Sequence, residues 1–199
     1  MIMHLLLEGY LEESVARRLL AASGHRPGIV YGRKGCGYIR TKAARFRSLA
    51  AGKSGVLVLT DFRDAEAPCV RAALDKYLGD LALNPPRSFL CRFAVAEMES
   101  WLLADRPGLA GFLGVAAARM PEQPDLEPFP KKTLVNVARA SRKANIRSAI
   151  VPPSGRKAVT APGYTRALSG FVDQAWNIDR AVRRSPSLER CLRRLGELR

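Results

Sequence analysis

Gly55-Val-Leu-Val-Leu-Thr60, followed at once by Asp61, is the clearest strand in the chain. Four aliphatic residues in a row leave no polar face. A strand with one wet face would alternate, so this run predicts a strand buried on both sides. Two other runs read the same way. Residues 3–7 are apolar and end at Glu8-Gly9, and Phe89 to Ala96 ends at Glu97. Helical patterns lie between them. In Glu12–Ala22, Val15, Leu19 and Ala22 share one face, and Gly24 is a stop signal. Ile29-Val-Tyr31 predicts a further strand. Ile39–Ala51 predicts a helix closed by Gly52, and Pro68–Leu81 one with proline near its first turn. Met98–Leu103 opens another. Alternating strands and helices with apolar strands predict an α/β fold with a mostly parallel sheet flanked by helices.

After about residue 106 the pattern changes. Pro121–Pro130 carries four prolines and reads as a loop. Thr133–Asn145 predicts a basic helix, Val151–Gly155 a turn, and Phe171–Arg184 a helix. Ser185-Pro186 resembles an N-cap and first residue of a last basic helix. The expected organisation is an α/β core over residues 1–105 and a mainly helical, basic C-terminal extension over 106–199, packed on that core. A chain of 199 residues that is 47% hydrophobic can bury such a core. No apolar run approaches the roughly 20 residues of a membrane span. The N-terminal run reads as a strand and not as a signal peptide. Cys36, Cys69, Cys91 and Cys191 match no metal-binding spacing, so they are expected as thiols in a reducing cytoplasm. No membrane association is expected.

The charge is uneven. Lys plus Arg is 33 against 18 Asp plus Glu, a net of +15. Residues 1–130 carry a net of +3 and residues 131–199 a net of +12. Ser14 to Thr60 holds ten Lys/Arg and no acid. Such fields attract polyanions, with phosphate backbones the usual partner. Gly32-Arg-Lys-Gly-Cys-Gly37 is a basic, glycine-rich loop whose backbone N–H groups could cradle phosphate. Gly52-Lys53-Ser54 is no P-loop, because Arg47 stands where that motif needs glycine. Two histidines leave few ways to build a Ser-His-Asp triad.

The scarce acids sit at telling places. Glu8, Asp61 with Asp64, and Glu97 with Glu99 each follow a predicted strand. In open parallel sheets ligands gather beyond the carboxyl ends of the strands. These acids should therefore converge on one rim. Clustered carboxylates repel one another unless a hard cation neutralises them, and Mg²⁺ prefers oxygen ligands and bridges to phosphate.

Leu5-Leu-Leu-Glu-Gly-Tyr-Leu-Glu-Glu13 resembles the opening strand, Glu-Gly turn and helix of Toprim domains. Asp61 stands where that fold places its second acidic motif. Arg92-Phe-Ala-Val-Ala-Glu-Met-Glu-Ser-Trp-Leu-Leu-Ala-Asp105 closely resembles the signature of a Toprim-like domain-of-unknown-function family (number 4276), a relative of the overcoming-lysogenization nucleases. The glycine-rich loop and Tyr164-Thr-Arg166, in place of Tyr-x-Lys, are also similar. The resemblance implies a Mg²⁺- or Mn²⁺-dependent nuclease acting on DNA or RNA. Glu8, Asp61 and Asp64 would bind the metal, and Glu97 and Glu99 would act as outer ligands or as a base orienting water. Arg33, Lys34, Arg63 and Arg166 would hold phosphates. Glu12, one helical turn beyond Glu8, would matter less. The resemblance also implies an ATPase partner, in phage defence. Arg63 departs from the family pattern, since it stands where the second Asp of Asp-x-Asp belongs. That departure favours the alternative, a Toprim-like module that binds nucleic acid or a partner without cutting.

Overall fold

The computed structural model describes residues 1–50 and 53–198. Four strands form one all-parallel sheet: β1 (Ile2–Leu7), β2 (Arg26–Gly32), β3 (Ser54–Asp61) and β4 (Phe89–Ala94), in the order β2-β1-β3-β4. The first half contributes α1 (Tyr10–Ala22), α2 (Cys36–Lys42) and α3 (Val70–Leu78). After β4 come α4 (Met98–Ala104), α5 (Arg106–Leu113), α6 (Pro130–Arg139), α7 (Ala144–Ile150), α8 (Tyr164–Gln174), α9 (Ile178–Val182) and α10 (Pro186–Gly196). The expected α/β class, with a parallel sheet flanked by helices, is what the chain adopts.

The apolar strands are buried on both faces, as their lack of alternation demands. Leu5, Leu7, Leu57, Leu59 and Leu90 face one core, shared with α1 and the helices after β4. Leu6, Val56, Val58, Cys91 and Phe93 face the other, under α2 and α3. The C-terminal helices thus complete the larger core. Trp101 and Trp176 are buried there, and the Trp176 indole N–H donates to the Trp101 carbonyl at 3.2 Å. Arg18 of α1 donates to the carbonyls of Val172, Asp173 and Trp176 at 2.7–2.9 Å. That places a cation at the carboxyl end of α8, where the helix dipole favours it.

Several element boundaries differ from the sequence reading. α1 starts two residues early, at Tyr10. The helix expected over 39–51 is α2 followed by a 3₁₀ segment, Ala43–Leu49, and Gly52 lies outside the described residues. The strand expected to reach Ala96 ends at Ala94. The helix expected over 133–145 is broken between α6 and α7. There the Ser141 hydroxyl accepts from the Lys143 N–H at 3.1 Å, competing with helical hydrogen bonding. The helix expected over 171–184 is α8 and α9, separated where Asn177 caps α9 through the Arg180 N–H at 2.8 Å. Ser185 does cap α10, accepting from the Leu188 N–H at 3.2 Å, with Pro186 in the first turn.

From β1 the chain moves first outward to β2, then across to β3 and β4. α1 and α3 pack on opposite faces of the sheet, as crossovers of one hand require when direction reverses. The reversal falls between β1 and β3, the place where open α/β sheets form a ligand crevice beyond the carboxyl ends of their strands.

Candidate functional site

Glu8 is the first residue past β1. The register pairs Leu7 with Leu59, so Glu8 arrives beside Thr60. Its Oε1 accepts from the Thr60 hydroxyl and from the Asp61 N–H at 3.1 Å. The glycine-rich loop folds over the same end. Gly32 has φ 96°, and a Cβ there would collide with the Leu7 carbonyl oxygen, so only glycine fits. The Arg33 N–H donates to the Leu7 carbonyl at 2.8 Å and the Gly35 N–H to the Glu8 carbonyl at 3.2 Å. Two of the N–H groups expected to cradle phosphate are therefore engaged by the protein itself. Their bonds carry Cys36 to Glu8. The 3₁₀ turn Arg63–Ala65 brings Asp64 from the β3 side. One ligand atom each from Glu8, Cys36 and Asp64 lie within 4.8 Å of one another.

The other predicted acids stand behind this group. Asp61 is buried, and its Oδ1 accepts from the Met98 N–H at 2.8 Å, at the amino end of α4. Its carboxylate ties β3 to α4 and is not among the three grouped ligands. Glu97 Oε1 forms an ion pair with Arg63 Nε at 3.1 Å, and Oε2 accepts from the Lys131 N–H at 2.9 Å in the first turn of α6. Glu99 is buried. Its Oε1 accepts from the Tyr164 hydroxyl at 2.8 Å and lies 3.7 Å from Lys131 Nζ. Its Oε2 is buried without a hydrogen-bond partner among the described residues.

These acids share one field. Burial pushes the Glu8 carboxyl up to about 7, with further push from Asp64 and Glu12 against the Asp61 N–H and Lys131. Burial raises Asp61 well above the usual range, and Glu99, Glu12 and Glu8 add to the rise. Burial also raises Glu99, against Lys131 and the Tyr164 hydroxyl, and it raises Glu12. Glu12 thus feels the same burial and the same Lys131 charge as the rim acids. Lys131 opposes the rise in all four. Burial works against its charge, but Glu99, Asp61, Glu97 and Glu12 hold its pKa above the ordinary value. The rim carries more carboxylate than one lysine neutralises, an arrangement suited to a cation.

The expected phosphate-holding residues divide. Arg33 pairs with Glu13 and lies 4.9 Å from the Tyr10 ring centre. Arg33 and Arg166 line one open groove of about 770 Å³ with Tyr10 and Arg17. Lys34 lies over Tyr38 at 5.4 Å, outside that groove's lining. Arg63 is held by Glu97, the Pro128 carbonyl and the Phe129 ring, 4.2 Å from its guanidinium carbon. These contacts hold it on the α6 side.

Sequence reasoning missed Cys36 and Lys131 at the rim. Lys131 is one of 16 basic residues in the last 69, and nothing local marks it out. In the sequence Tyr164 stands out only as part of Tyr-x-Arg, and its contact with Glu99 gives it a reason to be there. Comparison with protein-family models, with curated proteins and with solved structures found no match to this chain. Among the described residues, no helix is long and apolar enough to cross a membrane.

Proposed function

We propose that this protein is a Toprim-like, Mg²⁺- or Mn²⁺-dependent phosphodiester hydrolase acting on nucleic acid. The observation that carries this is the meeting of Glu8 and Asp64, from two neighbouring strand ends, at the crevice where strand order reverses. The donor set fits a hard cation. Two carboxylates suit Mg²⁺, whereas the Cys36 thiol, raised by burial and by Asp64 and Glu8, stays neutral and is a poor ligand for it. Glu8 and Asp64 would hold the ion, which would supply Lewis acidity and charge neutralisation at phosphate.

The protein's own groups have separable tasks. Thr60 and the Asp61 N–H fix the Glu8 carboxylate. Asp61 fixes the start of α4, which carries Glu99. Glu99, its Oε1 held by the Tyr164 hydroxyl, would act behind the metal ligands as an outer ligand or as the base that orients water. The Arg33–Arg166 groove, beside the first turn of α1, would hold the phosphate backbone. An ATPase partner and a role in phage defence are proposed on the resemblance alone.

Cleavage of a panel of labelled DNA and RNA substrates tests this. Wild type should cut only with Mg²⁺ or Mn²⁺. Glu8→Gln should slow cutting about 100-fold or more, the scale of several kcal/mol of lost charge stabilisation. Glu66→Gln, on an exposed side chain paired with Lys76, should not. No cleavage under any divalent ion would sink the proposal.

A second reading has its own support. Arg63 pairs with Glu97, and Lys131 sits among four acids, so built-in cations already answer part of the negative charge. A binding module of this kind would take up Mn²⁺ only after a resident cation is removed, as in Arg63→Asp. A calorimetric Mn²⁺ titration of wild type and Arg63→Asp separates the two readings.

A further inference from the structure

The edge strand β4 carries one charged residue, Arg92. Alternation places it on the face of Leu90 and Ala94, against the core beneath the C-terminal helices. α10 crosses this edge and brings Arg190, Arg193 and Arg194. The four guanidinium groups, with Phe93 and Ser187, line a cavity of about 240 Å³ that no carboxylate lines.

Two of these four charges, Arg92 and Arg190, are poorly answered. Among the described residues Arg92 forms no salt bridge. Its Nε is buried without a partner, and its one hydrogen bond runs from Nη1 to the Cys91 carbonyl at 3.3 Å. Arg190 forms no salt bridge among them either. Arg193 and Arg194 reach Glu189 and Glu197, on the exposed surface of α10. Burial, with Arg194 and Arg193, works against the Arg92 charge. Cys91 and Cys191 are each held up to about 12 by burial, so neither thiol supplies counter-charge at neutral pH. A guanidinium cannot shed its proton to escape this, and an unpaired buried charge is costly. An anion would answer such a charge. The guanidinium fork matches phosphate geometry through paired N–H donors.

We propose that Arg92, Arg190, Arg193 and Arg194 form a binding site for a phosphate group, separate from the acid rim. The cavity is below the roughly 300 Å³ lower end of ordinary ligand pockets. That size suits inorganic phosphate or a terminal phosphomonoester and excludes a whole nucleotide. The site shares no residue with the rim, so it stands or falls independently of the hydrolase.

The test is calorimetric titration with inorganic phosphate, at constant ionic strength and without divalent ions. Wild type should bind saturably, and its melting temperature should rise with phosphate as ligand linkage requires. Arg190→Ala, on an exposed side chain whose removal spares the fold, should weaken binding tenfold or more. Arg92→Lys keeps the charge but loses the fork, and should do the same. Glu8→Gln should leave the affinity unchanged. A second arm compares 5′-phosphorylated with 5′-hydroxyl dinucleotide as competitors. Competition by the phosphorylated form alone identifies a nucleic-acid end as the source. Competition by neither, with inorganic phosphate still bound, identifies the free anion. Either supports the site. Wild-type affinity in both Arg190→Ala and Arg92→Lys, equal weakening in Glu8→Gln, or no saturable phosphate binding overturns it.

Discussion

The rim above β1 and β3 and the cluster on β4 carry excess charge of opposite sign, and they relieve it by different means. Carboxylates can take up protons. The rim accordingly holds Glu8 at about 7 and Asp61 well above its usual range. Guanidinium groups have no such outlet, so the β4 cluster depends on a partner from outside. The buried Asp105 shows what a balanced site looks like. It accepts from Arg180 Nε at 2.7 Å and Nη2 at 3.1 Å, and from the Gly108 and Asn177 N–H groups at 3.2 and 2.8 Å. Nothing there asks for a ligand. Charge imbalance inside a fold, and not charge itself, marks the places where a ligand has work to do.

Breaking the balanced site should have the largest effect on stability. Asp105→Ala leaves four donors, two backbone N–H groups and two guanidinium N–H groups, without their acceptor. The expected cost is about 3–5 kcal/mol, as for other buried pairs that lose one member. At roughly 2–4 °C per kcal/mol for a chain of this size, the melting temperature should fall by about 10 °C. Urea denaturation checks it. A loss under about 1 kcal/mol would mean that Arg180, 44% exposed, simply turns to water, and that charge balance adds little to stability.

A smaller effect should separate rim from cluster by pH. Glu8 moves from an unfolded value of 4.5 to a folded value of about 7, so the folded state binds more protons between those values. Stability of the metal-free protein is then fullest below about pH 4.5 and falls as pH rises through 7. Glu8 alone contributes at most about 3 kcal/mol to the fall, and Asp61 and Glu99 act in the same direction. Mg²⁺ should restore more stability at pH 8 than at pH 5, because it answers the exposed negative charge. The β4 arginines should contribute no slope in this range. Urea midpoints at pH 5, 6, 7 and 8 would show it, and a rising or flat profile in metal-free protein would break the account of the rim.

What the sequence made legible follows from where each instruction resides. β1, β3 and β4 were readable because burial on both faces writes itself as an unbroken apolar run. β2 was readable only at Ile29–Tyr31, since this edge strand carries exposed Arg26 and Pro27 at its start. The α10 cap was readable because Ser185-Pro186 acts through its own next residues. The break after α6 was not, because it depends on the Ser141 hydroxyl, which also donates to the Leu113 carbonyl of a distant helix. The positions of the rim acids were readable from strand ends, but not their aim. Asp61 points to α4 because the Met98 N–H waits there, a fact of tertiary structure. Lys131 was invisible for the same reason.

Lys131→Met should give the smallest effect and the finest discrimination. Its Nζ lies 3.7 Å from Glu99 Oε1, yet the side chain is 37% exposed, so solvent screens much of the attraction. About 1 kcal/mol of stability should be lost at pH 8. Little should be lost at pH 5, where Glu8, Asp61 and Glu99 are more fully protonated and there is less charge for Lys131 to answer. The sign follows from linkage. Removing the cation raises the folded pKa values further, which enlarges the loss on the alkaline side only. The same variant should bind Mn²⁺ more tightly at pH 8, since the ion no longer competes with a resident ammonium group. If Mn²⁺ binding weakens instead, Lys131 is holding the acids in a geometry the metal needs. If wild type binds no Mn²⁺ and Lys131→Met binds it well, the lysine stands in for the metal, and the rim is a binding surface and not a hydrolytic centre.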